Sequence, residues 1–229
     1  MALILALETS TKNCSVALAD GDQILAAKEE SSDQYIHSEK LHLFIQEVLQ
    51  WAGKKPAELS AAAVGMGPGS YTGLRIGVSA AKGLCYSLGI PLIAVNGLQL
   101  LAEEFIQLHH PESEEVILPM LDARRMEVYT AVFDHHAQMQ GKIEAVVLDD
   151  DSFADLASPQ IHLIGDGADK AKVVLTSERF VLHNMPYPSS KTLALLAGHK
   201  FQNQEFENVA YFEPFYLKDF IAGKPRKLL

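Results

Sequence analysis

Two stretches of this chain carry residue types and spacings that could do chemistry. The first is Gly67-Pro68-Gly69-Ser70-Tyr71-Thr72-Gly73-Leu74-Arg75-Ile76-Gly77. It follows the apolar run Ala61 to Val64 and opens a helix-compatible run ending near Leu88, so a strand runs into a glycine turn and out into a helix. Ser70 suits the N-cap, where its hydroxyl accepts an orphan N–H of the first turn. Exposed amides at such a turn can hold a phosphate or another anion. The stricter patterns fail. No Lys-Ser or Lys-Thr stands at the P-loop position, the glycines do not match the dinucleotide fingerprint, and Pro68 occupies the place where a nucleophile elbow needs glycine. The second stretch is Asp122, Arg124, Arg125 and Glu127. It could be an acid–base set, but it reads better as an ion-paired hairpin opening a second lobe. Nine histidines invite a metal reading that their spacing does not support. His37 and His42 are five apart, which misaligns them on a helix. His109-His110 and His135-His136 are adjacent pairs in polar segments, and no His-Glu-x-x-His appears. They are expected at the surface.

These residues need a scaffold, and the pattern of apolar residues supplies one. Strands are expected at Leu3 to Leu7, Ser15 to Leu18 and Gln23 to Lys28, with Asp20-Gly21 as the hairpin turn and Thr9 to Asn13 as a polar turn. A helix runs from about His37 to Ala52. Leu41, Phe44, Ile45, Val48, Leu49, Trp51 and Ala52 share its broad apolar face, and Leu43 falls outside it. Gly53 and Pro56 end that helix. A strand near 61–64, the helix Tyr71 to Leu88, a strand 91–95 and a helix 98–108 follow. The polar break from His109 to Glu115 is the best boundary, giving lobes 1–108 and 109–229. The second half restarts with strands at 116–121, 127–133, 143–148 and 161–164, then the turn Gly165-Asp166-Gly167 and a helix 191–201. The similar strand-rich starts imply a structural duplication without a visible repeat.

Composition bounds the function. The 229 residues are 48% hydrophobic and 21% charged, with net charge −10. That describes a packed globular chain that repels phosphate backbones and is a poor unaided binder of RNA. The sign reverses in the tail from Lys218 to Leu229, with Lys224, Arg226 and Lys227. It reads as a flexible tail, with RNA or partner contact as the minority reading. Cys14 and Cys85 form no disulfide framework, and Glu8 interrupts the apolar N-terminus too early for a signal peptide or membrane span. A reducing cytoplasm is the expected compartment.

The chain resembles the TsaB (YeaZ) family along nearly its whole length. The matching stretches are Ile4 to Ser10 with Cys14 to Leu18, His37-Ser38-Glu39, Gly67 to Gly77, Ala81-Lys82-Gly83, Asp122-Ala123-Arg124 with Glu127-Val128-Tyr129, and Pro214 to Leu217. Where the family has Asp before Thr-Ser, this chain has Glu8. The resemblance implies an α/β fold of the actin/Hsp70/sugar-kinase superfold, with two related lobes of mixed sheet and helices. It implies a role in making threonylcarbamoyladenosine in tRNA and a catalytic paralogue, TsaD, as partner. TsaE, a P-loop ATPase, is the second implied partner, and tRNA is met only within the complex. Aligned on Val95-Asn96, the paralogue's two metal-binding histidines fall on Gly97 and Leu101, which cannot ligate a metal. The expected role is a non-catalytic scaffold with no catalytic residue, metal or required cofactor; weak nucleotide binding is left open. A self-sufficient ATPase or small-molecule kinase is the alternative, and a glycoprotease-like peptidase a remote third.

The resemblance also implies dimerisation through the first two long helices, as a heterodimer with TsaD and as a homodimer alone. On the helix 71–88, Gly73, Gly77, Ala80, Gly83 and Ser87 share one side, while Arg75, Ser79, Lys82 and Tyr86 form a polar side. Read from the residues alone, the small side packs on its own lobe's sheet and the polar side is solvated; the resemblance instead implies that one of these faces meets a partner helix. The interface candidates are Leu43, Gly73, Arg75, Gly77, Ser79, Ala80, Lys82 and Tyr86. Thr9, Ser10, Thr11 and Lys12 sit where the superfold's first phosphate hairpin would be and are candidates for a vestigial phosphate loop.

Overall fold

The computed structural model describes residues 2–33 and 36–218; apart from Lys218, the basic tail lies outside them. Two five-stranded sheets build the molecule. The first contains β1 (Leu3–Glu8), β2 (Asn13–Asp20), β3 (Gln23–Ser31), β4 (Ala61–Gly65) and β5 (Leu92–Val95), in the order β3-β2-β1-β4-β5. The second contains β6 (Val116–Asp122), β7 (Glu127–Phe133), β8 (Met139–Val147), β9 (Ile161–Ile164) and β10 (Phe180–Leu182), in the order β10-β9-β6-β7-β8. Read from the meander edge, the two orders are the same. In each, a three-stranded antiparallel meander is followed by two strands added in parallel. The duplication expected from the sequence is present, and the fold is that of the actin/Hsp70/sugar-kinase superfold.

Alternation along β1 divides the first core. Leu3, Leu5 and Leu7 face α1 (His37–Trp51) and α2 (Tyr71–Leu88), together with Val16, Val64 and Leu92. Ile4 and Ala6 face the other way, with Ala17, Ala19, Ala61 and Ala63, onto Leu193, Ala194 and Ala197 of α5 (Ser190–Gln202). Alanines on that face let the helix approach the sheet closely. The connecting helices therefore cross over. α3 (Gly97–His109), which follows the first sheet, puts Leu98, Leu101 and Phe105 into the second lobe's core with Ile117, Leu121 and Ile164. α5 belongs to the second half by sequence yet packs on the first sheet. The split 1–108 and 109–229 thus separates the sheets but not these helices, because the sequence shows that a face is apolar and not which sheet covers it.

Several local expectations need correcting. α4 (Ala168–Val174) and β10 were not foreseen. Trp51, expected on the buried face of α1, is 59% exposed, and its ring takes Lys28 at 5.4 Å. His37 and His162 are buried, not at the surface. Arg124 and Arg125 do not pair with the carboxylates beside them. Both take positive φ in the β6–β7 turn, while Asp122 pairs with Lys170 and Glu127 with Lys218.

Candidate functional site

The glycine segment and the Thr9–Lys12 turn meet. Ser70 caps α2 as expected, its Oγ accepting the Gly73 amide at 3.3 Å. Its own amide donates to the Ser10 carbonyl at 2.7 Å, so that amide serves the chain and not an anion. A Cβ on Gly73 would lie 2.1 Å from the Thr9 carbonyl oxygen, and one on Gly77 would lie 2.2 Å from Thr9 Oγ1. These two glycines are a track for the β1–β2 turn. Thr9 Oγ1 donates to the Gly73 carbonyl at 2.8 Å across that contact. Gly73 and Gly77 are therefore buried inside lobe 1 and form no part of an exposed interface, contrary to expectation.

The turn holds the other helix too. His37, at the start of α1, donates from Nε2 to the Thr11 carbonyl at 2.8 Å. Burial pushes the His37 pKa down, partly opposed by that bond. Thr9, Ser10 and Thr11 are 0, 1 and 5% exposed, which does not fit a loop presenting hydroxyls to a phosphate. Lys12 is the half-buried member and pairs with Asp33 at 3.0 Å. What looked like a phosphate hairpin works here as the anchor that fixes α1 against α2.

Between those helices lies an open groove of about 780 Å³, lined by Ser38, His42 and Ile45 from α1 and by Tyr71, Arg75, Ser79, Ala80, Gly83 and Leu84 from α2, among others. Tyr71 stands under Arg75, whose guanidinium is 5.4 Å from the ring centroid. Nothing lies within 4 Å of a Cβ placed on Gly83, so this glycine leaves the helix surface open. Of the interface candidates, Arg75, Ser79 and Ala80 line the groove. Leu43 and Tyr86 are 52% and 87% exposed but lie outside its lining. Lys82 is committed to its own chain, donating to the carbonyls of Ala210 (3.2 Å) and Phe212 (2.8 Å).

At the junction of the lobes, Glu8 is fully buried. Its Oε1 accepts the Ser10 amide at 2.6 Å, and burial raises its pKa against the opposing hydrogen bonds from Ser10 and Thr9. A Cβ on Gly97 would touch Leu121 Cδ1 and Ser10 Oγ, each at 3.6 Å, and Leu101 Cδ1 packs 3.2 Å from the Cβ position of Gly165. Gly97 thus sits between the lobes, among Leu121, the Ser10 hydroxyl and the Gly67 carbonyl, with Leu101 packed against Gly165, and neither Gly97 nor Leu101 can ligate a metal ion. Among the described residues no group of three or more His, Cys, Asp or Glu is placed to hold one. Cys14 and Cys85 are buried, with pKa pushed up to about 12 and about 11, mainly by burial, which makes them poor nucleophiles. Among the described residues no helix is long and apolar enough to cross a membrane.

A family model described as "TsaD: tRNA N6-adenosine threonylcarbamoyltransferase" matches residues 24–225. The chain belongs to the TsaD family, in its TsaB (YeaZ) branch. It is 27% identical to the tRNA threonylcarbamoyladenosine biosynthesis protein TsaB of Haemophilus influenzae, over 96% of this chain and 95% of that protein. Its structure resembles YeaZ from Pseudomonas aeruginosa, with a TM-score of 0.77 and 28% identity, covering 95% of this chain and all of that one. An activator of 2-hydroxyisocaproyl-CoA dehydratase from Clostridium difficile, solved with ADPNP, is 10% identical with a TM-score of 0.51; the match covers 90% of this chain and 98% of that one. That likeness is one of fold alone.

The sequence missed two things at the site: the groove itself and the role of the β1–β2 turn as its anchor. The spacing of Gly73 and Gly77, four apart on one helix face, was a usable signal for a close backbone approach.

Proposed function

We propose that this chain is the non-catalytic TsaB subunit of a tRNA threonylcarbamoyladenosine system, and that it acts by docking the TsaD paralogue in the α1–α2 groove. The paralogue carries the chemistry, moving threonylcarbamoyl from its adenylate to N6 of the adenosine next to the anticodon, with TsaE as the second partner. This chain has no metal, catalytic residue or required cofactor of its own in this reading. It pairs with a second copy through the same groove when alone, it works in the cytoplasm, and it meets tRNA only within the complex.

One observation carries the proposal. The positions expected to hold the paralogue's metal ligands are Gly97 and Leu101, which carry no group able to ligate a metal, whereas the groove between α1 and α2 stays open. Docking there would favour one arrangement of the partner's lobes over others, a population shift. The acidic balance of the chain agrees with leaving tRNA contact to the partner. The test mixes purified paralogue, TsaE, threonylcarbamoyl-adenylate source and tRNA, with and without this chain. Modification that depends on the chain is expected. Full modification without it, or modification by the chain alone, contradicts the proposal.

A further inference from the structure

The segment that follows α5 crosses the molecule, from residue 203 to Lys218. It starts at the edge of the first sheet, where the Glu207 amide donates to the Leu92 carbonyl at 2.8 Å in an antiparallel bridge. Lys82 on α2 then grips two of its carbonyls, at Ala210 and Phe212, and the Phe212 side chain enters the core beneath. Next, the Phe215 amide donates to the Met66 carbonyl at 2.8 Å, at the start of the glycine turn. Tyr216 packs its ring against Tyr71, with centroids 4.9 Å apart. Finally, Lys218 reaches the other lobe, where it pairs with Glu127 on β7 and lies 5.6 Å from the centroid of the Tyr129 ring.

We propose that residues 203–218 form a strap that couples the angle between the lobes to the shape of the α1–α2 groove. This deepens the docking reading above and rests on it. Tyr71 is both the strap's contact and a wall of the groove beside Arg75. Lys218 is a contact with lobe 2 and lies outside the groove. A rotation of lobe 2 pulls on Lys218, and the strap passes the displacement to Tyr216 and Tyr71. The coupling is reciprocal, because an occupant that holds Tyr71 in one position must bias the lobes by the same free energy.

The native cysteines are buried, so spin labels can be placed selectively at Asp22→Cys in lobe 1 and Val173→Cys in lobe 2, both exposed positions. Pulsed distance measurements on the full chain are expected to give one narrow distribution, which Lys218→Ala broadens. The same variant should weaken binding of the purified paralogue by about two- to fivefold, the range of an exposed ion pair, though it touches no groove residue. In a Tyr216→Ala background Lys218→Ala should add nothing to either effect. The strap is overturned if Lys218→Ala leaves the distances and the affinity at wild-type values, or if the two losses of affinity simply add. The distance arm needs no partner. A chain that binds no paralogue would therefore sink the docking reading, while the strap stands or falls on the distances.

Discussion

The two lobes solve the same turn differently. β1 ends in Glu8 and β6 ends in Asp122, and each carboxylate accepts the amide two residues on, from Ser10 and Arg124, both at 2.6 Å. In lobe 2 the carboxylate remains partly in water, paired with Lys170. In lobe 1 it is buried against Gly65 at the end of β4, and the following turn is pressed into α2. The neighbouring helices differ to match: α2 has 18 residues and α4 has 7. One turn has become a structural anchor with a groove on the far side of its helix, while its counterpart keeps a solvated, charged surface. The pair teaches that a duplicated element with the same hydrogen bond can be rigidified in one copy by close glycine contacts and the added hydrogen bonds of Thr9, Ser10 and Thr11 to the helices.

The sharpest break of this comparison is at Gly73. Gly73→Ala drives a methyl into the Thr9 carbonyl, which is backbone and cannot swing away, so a loss of about 3 kcal/mol is expected in urea unfolding. Gly77→Ala meets a hydroxyl that can rotate and should cost less. A wild-type midpoint for Gly73→Ala would refute the track.

The carboxylates should respond in opposite senses. Glu8→Gln keeps the acceptor for the Ser10 amide and removes a buried ionisable group, and it is expected to stabilise the chain at neutral pH by about 1 kcal/mol. Asp122→Asn gives up an exposed pair and should cost at most about 1 kcal/mol. The sign with pH follows from the shifts. Glu8 has a raised pKa when folded, so its contribution is complete below the ordinary value of 4.5 and is lost as pH rises through the folded value. His37 and His183 have lowered values, mainly through burial, so their contributions hold above about 6.5 and fade as pH drops through the folded values. Thermal midpoints across pH 4 to 8 should show a flatter alkaline side for Glu8→Gln and an unchanged acid side. The same acid and alkaline slopes in both proteins would contradict the assignment.

The smallest effect expected is at Gly83, on the groove side of the same helix as Gly73. Gly83→Ala meets open space and should stabilise α2 by about 0.5–1 kcal/mol, read as a raised midpoint. A loss there would mean that the outer face is packed against something within the chain.

How much of this was legible depends on how far each contact lies along the chain. The bounds of α2 follow from the Ser70 cap and the helix-compatible run that ends near Leu88, both local signals, and they match the structure. β10 is three residues long and α4 seven, too short for a period to register, and β10 exists because β9 offers it a parallel edge. Trp51 fits the apolar stripe of α1 by angle, yet it is exposed at the helix's last residue, with Lys28 over its ring. The reading of Gly73 and Gly77 as an exposed seam failed for a related reason. A helical projection gives the direction of a face, and the partner of that face, Thr9, is 64 residues away. Leu43 was legible as an apolar residue off the stripe, and it is exposed.

The central claim is that the open face of α2 is what the paralogue needs from this chain. The direct measurement is the rate of threonylcarbamoyl transfer to tRNA by purified paralogue and TsaE, supplemented with wild-type chain or with Gly83→Trp, whose fold is checked by its thermal midpoint. A folded Gly83→Trp that leaves the rate at the level of no added chain is the result expected. A folded Gly83→Trp that supports the full rate would contradict the account.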